Sequence, residues 1–428
     1  MDIVNLLLTP NSWPSSGVWE AIIKWFFDGL GGKIALALVL LTICLKVVML
    51  PLDFWQRRSS RKLATAQTEM KEELDAIKAK YSDPTVVNQK TMELYKKHHF
   101  SPTSGCLPML VYLVVTWVVF FTLFSALGNI SRTRINYEYY QLEQTYQTEY
   151  KSAYDSGDKG DFETLEAYAT AVAQQKATEK YDSIREGFLS IKTIWRPDNW
   201  STVFPSQTEF DRSTGTQLSV AKQQNEDGTT TIYVVKSSSG NKAELYQDLT
   251  GNVFAVVVND SGEASTVAQV EIDGQTYTKL AQLEKANERD DWSDTALARA
   301  KTAYAQDFQN VTAGINKKYS GQWNGYLGLI ILTAVITFMS QFLATLGTKT
   351  KDKKGNQMSA NKPKPIMGIV MAGIMVAFTI SYTSLFALYI VVSNALSLIF
   401  SILMNLVMNK IDEHKEKKNT ITPDYVRK

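Results

Sequence analysis

Long apolar stretches punctuate an otherwise polar chain, at about 33–52, 107–127, 325–346 and from Ile366 to Met408. An α-helix rises about 1.5 Å per residue, so roughly 20 apolar residues cross the ~30 Å hydrocarbon core of a bilayer. The last stretch is too long for one crossing. Ser381-Tyr382-Thr383-Ser384 divides it into 366–381 and 385–408. The pattern therefore predicts five membrane spans, with polar segments at 53–104, 129–322, 347–365 and 409–428. The second of these is long enough to fold as a domain with its own core.

Finer periodicities predict what the polar segments contain. The segment after the first span opens on Arg57, Arg58, Arg61 and Lys62. It then places Leu63, Met70, Leu74, Ile77 and Tyr81 at spacings near three and four, the signature of an amphipathic helix. Ser82-Asp83-Pro84 ends that helix, and a second follows over about 85–97. Ahead of the first span, 18–30 sets Trp19, Ile22, Ile23, Trp25, Phe26 and Phe27 among Glu20, Lys24 and Asp28. That mixture predicts an amphipathic helix on the outer membrane face, within an external N-terminal region 1–32. In 129–322, helices are expected over 136–187 with a break at 156–160. Phe188 to Trp200 forms an aromatic stretch expected at the membrane surface. Strands are expected over 216–282, where β-branched runs alternate with turn residues, and helix from about Gln275 to Lys318. The segment thus reads as an inserted α+β domain.

Charge sets the orientation. The segments 53–104, 347–365 and 409–428 together carry 22 basic and 12 acidic residues, whereas 129–322 carries 20 basic and 28 acidic. Basic loops stay in the cytoplasm. Five spans starting from an outside N-terminus place all three basic pieces inside and the acidic domain outside. The two cysteines, Cys44 and Cys106, offer no disulfide framework, and His98, His99 and His414 offer no metal site. Asp155, Asp158 and Asp161 lack the glycine and glutamate of a calcium loop and read as a solvated turn. No nucleotide-binding motif appears.

One residue disturbs the first span. Lys46 is charged, and a charge within lipid costs on the order of 2.5–3.5 kcal/mol on insertion scales, so it marks a pathway or a site. Thr42 lies one turn away on the same helical face, which Val39 and Met49 continue. No acidic residue falls inside 33–52 or the other predicted spans to neutralise it. Two readings follow: a hydrated cavity awaiting an anionic visitor, or a lysine snorkelling to the interface. Further polar groups inside spans are Tyr112, Thr116, Thr333, Thr337, Ser340, Gln341, Ser393 and Asn394. Each either lines such a cavity or joins helices.

Several motifs in order resemble the YidC/Oxa family of membrane protein insertases. Leu45-Lys46-Val47-Val48-Met49-Leu50-Pro51-Leu52 is followed by a charged hairpin and by Ser104-Gly105-Cys106-Leu107-Pro108 opening the second span. Phe188-Leu189-Ser190-Ile191 precedes Trp195, Thr337-Phe338-Met339-Ser340-Gln341 lies in the third span, and the fifth holds Ala387 to Asn394. The resemblance takes in all five spans and the basic tail but not most of 129–322. It implies an α-helical polytopic membrane protein whose five-span YidC-like core encloses a hydrophilic groove, with an inserted extracytoplasmic α+β domain. Lys46 matches the family's groove cation, usually an arginine, so the charge is kept and the fork of donors is lost. Thr42 and Tyr389 match groove-facing positions, and Tyr112 falls where a polar groove residue is common. Ser384-Leu385-Phe386-Ala387 replaces the usual Pro-Gly-Leu turn.

The expected function is insertion of nascent transmembrane segments into the bilayer of a bacterial plasma membrane, a binding activity with no catalytic residue, cofactor or metal. Thr42, Lys46, Tyr112, Thr116, Ser340, Gln341, Tyr389, Ser393 and Asn394 are the expected groove residues. Arg57, Arg58, Arg61, Lys62, Lys410, Lys415, Lys417 and Lys418 are expected to meet the ribosome or a targeting factor. The resemblance further implies the Sec translocon and the signal-recognition-particle receptor as partners, and no small-molecule substrate. A polytopic transporter or channel using Lys46 as an anion site is the alternative, although neither internal repeats nor paired interrupted helices appear.

Overall fold

The computed structural model describes residues 12–421 apart from 15–16, 98–101, 227, 240–242, 250–251, 259–263, 266–268, 273–274, 280–291, 347–348, 352–356 and 360–364. In chain order the helices are α1 (Val18–Gly29), α2 (Ile34–Glu69), α3 (Lys71–Lys80), α4 (Pro84–Lys97), α5 (Pro102–Asp155), α6 (Leu165–Ile184), α7 (Gln207–Thr214), α8 (Trp292–Lys318), α9 (Gly328–Leu346), α10 (Pro365–Ser381) and α11 (Ser384–Ile421). The strands are β1 (Gln217–Gln224), β2 (Thr230–Ser237), β3 (Glu244–Leu245), β4 (Asn252–Val253), β5 (Ala255–Val258), β6 (Ala264–Ser265), β7 (Gln269–Ile272), β8 (Gln275–Lys279), β9 (Lys349–Lys351) and β10 (Gln357–Ser359). His98, His99 and the last seven residues of the chain lie outside the described residues.

The chain divides into two compact units. One comprises Met1–Lys24, Ala126–Tyr326 and Thr383–Leu385; the other comprises Trp25–Ser125, Leu327–Tyr382 and Phe386–Lys428.

In the first unit, aromatic and alanine positions at helical spacing make the core. Tyr139, Leu142 and Tyr146 of α5 meet Ala173, Ala177 and Tyr181 of α6 and Phe308, Val311 and Ile315 of α8. Alanines let the α6 and α8 backbones approach closely, and Gly314 carries this furthest: a Cβ there would meet the Gln174 carbonyl at 2.7 Å. The main sheet is antiparallel in the order β1-β2-β5-β6, with β3 also on β2. Register pairs Ala221 with Tyr233 and Ile232 with Val256. Central β2 is buried from Thr231 to Val235, and Val234 packs with Tyr246 and Phe254 onto Ala296, Ala300 and Tyr304 of α8. A smaller sheet runs β4-β8-β7. Helix does not begin at Gln275 as expected, because Gln275–Lys279 pairs with β7 through β-favouring Thr276, Tyr277 and Thr278.

The aromatic stretch is also folded inward more than expected. Ile191, Ile194, Trp195 and Arg196 are buried, and only its ends project, with Leu189 and Trp200 exposed. Buried Asn324 organises it, accepting from the Thr193 amide at 2.9 Å and donating to the Thr193, Arg196 and Pro197 carbonyls. The Arg196 carbonyl in turn accepts from both the amide and the hydroxyl of Ser384, so the start of α11 is tied down without a Pro-Gly turn. Glu20, expected on a wet helical face, is buried, with Asn129 donating to its carboxylate at 3.2 Å.

In the second unit, α2, α5, α9, α10 and α11 cover the five apolar stretches. Among the described residues, Ile34–Ser60, Leu107–Asp155 and Ser384–Met408 are long and apolar enough to cross a membrane. Their outward faces are apolar: Val47 and Val48 on α2, Val114, Trp117, Val118 and Phe121 on α5, and Ile399, Leu403 and Leu406 on α11 are exposed. Water would leave such a surface unsatisfied, whereas lipid covers it. Helix α9 packs along α10, and α3 along α4. Helix α2 does not stop with the apolar run at Leu52 but continues to Glu69. No glycine follows Pro51, and Gln56, Arg57, Arg58, Lys62 and Leu63 are good helix formers. The basic residues expected in a loop therefore ride on the same helix as Lys46.

Candidate functional site

On helix α2, Thr42, Lys46, Met49, Asp53 and Arg57 recur every three or four residues, four of them polar, and this row forms one wall of a cavity of about 300 Å³. Tyr112, Thr116, Val119 and Phe120 of α5 form a second wall. Met375 of α10 contributes with Tyr389, Ile390, Ser393, Asn394, Ser397 and Phe400 of α11. All lie in the second unit.

Within it Lys46 Nζ donates to Ser397 Oγ at 2.7 Å, and Ser397 Oγ donates onward to the Ser393 carbonyl at 2.8 Å. Thr42 is buried and turns its hydroxyl back to the Leu38 carbonyl, so it shapes the wall rather than solvating the ammonium. Asn394 donates to Thr337 Oγ1 at 3.0 Å, joining α11 to α9. Phe120 packs edge-on against Phe386, which also contacts Phe124 and Tyr382.

The expected groove residues thus separate. Thr42, Lys46, Tyr112, Thr116, Tyr389, Ser393 and Asn394 line one cavity. Ser340 does not; its hydroxyl donates to the Thr337 carbonyl. The Gln341 side chain lies outside the described residues, as do those of Arg61, Lys62, Lys415, Lys417 and Lys418. Arg58 and Lys410 are exposed. Arg57 departs from expectation: it lines the cavity, its Nε donating to Asp53 Oδ2 at 2.9 Å and its Nη2 to Ser401 Oγ at 2.8 Å.

Asp53 joins the same wall. It sits one residue past the predicted span but inside the apolar reach of α2, and it faces the same cavity as Lys46. The signal was present in the spacing, since Lys46, Asp53 and Arg57 are seven and four residues apart and share a helical face. The lining therefore holds two cations and one carboxylate, and its net charge is positive. No cluster of His, Cys, Asp or Glu able to hold a metal occurs among the described residues.

Apolar outer faces around a cavity of net positive lining define a mostly helical membrane protein. The chain matches the 60Kd inner membrane protein family over residues 25–200, a segment that contains Lys46 and both the α2 and α5 walls of the cavity. It is 38% identical over 90 residues to the membrane protein insertase YidC of Fusobacterium nucleatum, covering 21% of this chain and 42% of that one. It is 30% identical over 122 residues to that of Enterococcus faecalis (26% and 43%), and 36% identical over 98 residues to that of Prochlorococcus marinus (23% and 26%). Over these segments the chain is similar to the YidC/Oxa insertases. The matched segments span less than half of those three relatives. No solved structure matches it.

Proposed function

We propose that this chain is a membrane protein insertase that receives nascent transmembrane segments in the α2–α5–α10–α11 cavity and releases them into the bilayer. One observation carries the reading: a cavity with net positive lining lies among helices whose outer faces are apolar. An incoming segment with a short, acidic outer flank is attracted by Lys46, and the polar walls lower the cost of bringing that flank into the membrane. Burial of the segment's apolar surface in lipid, worth about 25 cal/mol per Å², supplies the driving force. No bond is made or broken.

The same reading takes all five apolar helices as spans, with the N-terminus outside and the C-terminus in the cytoplasm, on the strength of the basic loops and tail. It assigns Arg58, Arg61, Lys62, Lys410, Lys415, Lys417 and Lys418 to ribosomal or targeting-factor contacts, which long-range charge favours. Action beside the Sec translocon and the signal-recognition-particle receptor belongs to the same proposal, as does the bacterial plasma membrane as its site.

The test replaces Lys46 with Ala and with Arg and measures insertion of a single-span reporter carrying an acidic outer flank. Lys46→Ala lowers insertion severalfold and Lys46→Arg preserves it. Equal insertion by Lys46→Ala and the native chain would overturn the groove-charge mechanism.

A further inference from the structure

The Asp53–Arg57 pair is not needed to explain why Lys46 sits in the cavity, yet it faces that cavity one turn apart on the same helix. Arg57 spends its Nε on Asp53 and one Nη2 hydrogen on the neutral Ser401 hydroxyl. A guanidinium has five N–H donors, so donors beyond these two remain for another acceptor. The pair is not sealed, since the Arg57 side chain is 29% exposed and that of Asp53 15%. Lys46, by contrast, contacts a serine and offers a point charge without a fork.

We propose that Asp53 and Arg57 form an exchangeable pair that reads the acidity of an incoming polypeptide flank, with Asp53 standing in for a substrate carboxylate until one displaces it. The proposal rests on the insertase reading and adds to it a second, forked recognition point. At rest Asp53 keeps Arg57 from being an uncompensated cation in a partly dry cavity. A flank with one acid is satisfied by Lys46 alone. A flank with several acids brings a further carboxylate to Arg57, where it competes with a chemically equivalent group, so the exchange costs little. Asp53 thereby sets how acidic a flank must be before both cations are used.

The test reconstitutes the full-length protein in liposomes and compares single-span reporters whose outer flanks carry no acid, one aspartate or several. Asp53→Asn raises the ratio of several-acid to no-acid insertion severalfold. Arg57→Gln lowers that ratio, and Arg57→Lys falls between it and the native chain. The no-acid reporter registers any loss of folding, and the ratio does not. Exchanging the pair, Asp53→Arg with Arg57→Asp, keeps the ion pair but moves the fork away from Ser401, and it lowers the ratio as Arg57→Gln does. If the single variants and the exchanged pair all keep the native ratio, the proposal is overturned and Asp53–Arg57 is only a helix-stabilising pair. If Lys46→Ala lowers acid-flank insertion while Arg57→Gln leaves the ratio intact, this inference fails and the insertase reading stands; if neither changes it, both fail.

Discussion

The two units treat enclosed charge in opposite ways. In the first, Lys236 lies between Glu143 at 3.4 Å and Glu244 at 3.5 Å, and the Tyr246 hydroxyl donates to Asp307. Burial alone would lower the Lys236 pKa, but the two carboxylates reverse this and hold it above the usual lysine range. Each charge there is answered by a partner from another element, which pins strand to helix. In the second unit Lys46 rests on a neutral serine, and among the described lining residues one carboxylate faces two cations. A structural core consumes its charges; a receiving site keeps one unspent.

The largest expected effect of breaking this contrast is at Lys236. Lys236→Met leaves Glu143 and Glu244 facing each other without a cation, and removing one partner of an enclosed pair costs about 3–5 kcal/mol. Thermal unfolding of the full-length protein in detergent measures it. The loss shrinks as pH falls, because burial holds the Glu244 carboxyl above its usual range and it takes up a proton there.

Asp307 gives the next effect, and it depends on pH. Burial pushes its carboxyl from 3.8 up to about 7, so the folded state holds this proton more tightly than the unfolded state does. Its contribution is therefore fully present below about pH 4 and is lost as pH rises toward 7. At 1.36 kcal/mol per pKa unit this amounts to something on the order of 2–4 kcal/mol. Unfolding temperature should fall across that interval in the native protein and fall less in Asp307→Asn.

The smallest effect on stability is expected at the centre of the proposed function. Lys46→Met removes a charge that no carboxylate directly pairs with, and Ser397 keeps its bond to the Ser393 carbonyl. Stability changes by roughly 1 kcal/mol or less, in either direction. A loss comparable to that of Lys236→Met in the same unfolding experiment would erase the distinction between the two units.

Much of the fold was legible where local chemistry decides it. Ser82 and Asp83 separate α3 from α4, the glycines at 157 and 160 fall between α5 and α6, and Tyr382 and Thr383 lie between α10 and α11. What the chain does not advertise is which polar groups become enclosed. Trp195 looks like an interfacial aromatic until its indole donates to buried Glu138 at 2.7 Å, a partner 57 residues away. Glu20 looks solvated until Asn129 reaches it. In the cavity, the helical face through Thr42 and Lys46 was readable, but its extension to Asp53 and Arg57 was hidden by taking the end of the apolar run for the end of the wall. Hydropathy measures where a helix meets lipid and not where its inward row stops.

The serines of α11 carry one more consequence. Ser393, Ser397 and Ser401 recur every fourth residue, and two of them hold Lys46 and Arg57 of α2. A hydroxyl donates and accepts through a single rotor, so the same wall can face an ammonium now and a carboxylate next by turning a hydrogen rather than moving a backbone. Along that row α11 behaves as a strip of immobilised solvent: it supplies the polarisability of water to whatever passes, while its other face remains oil.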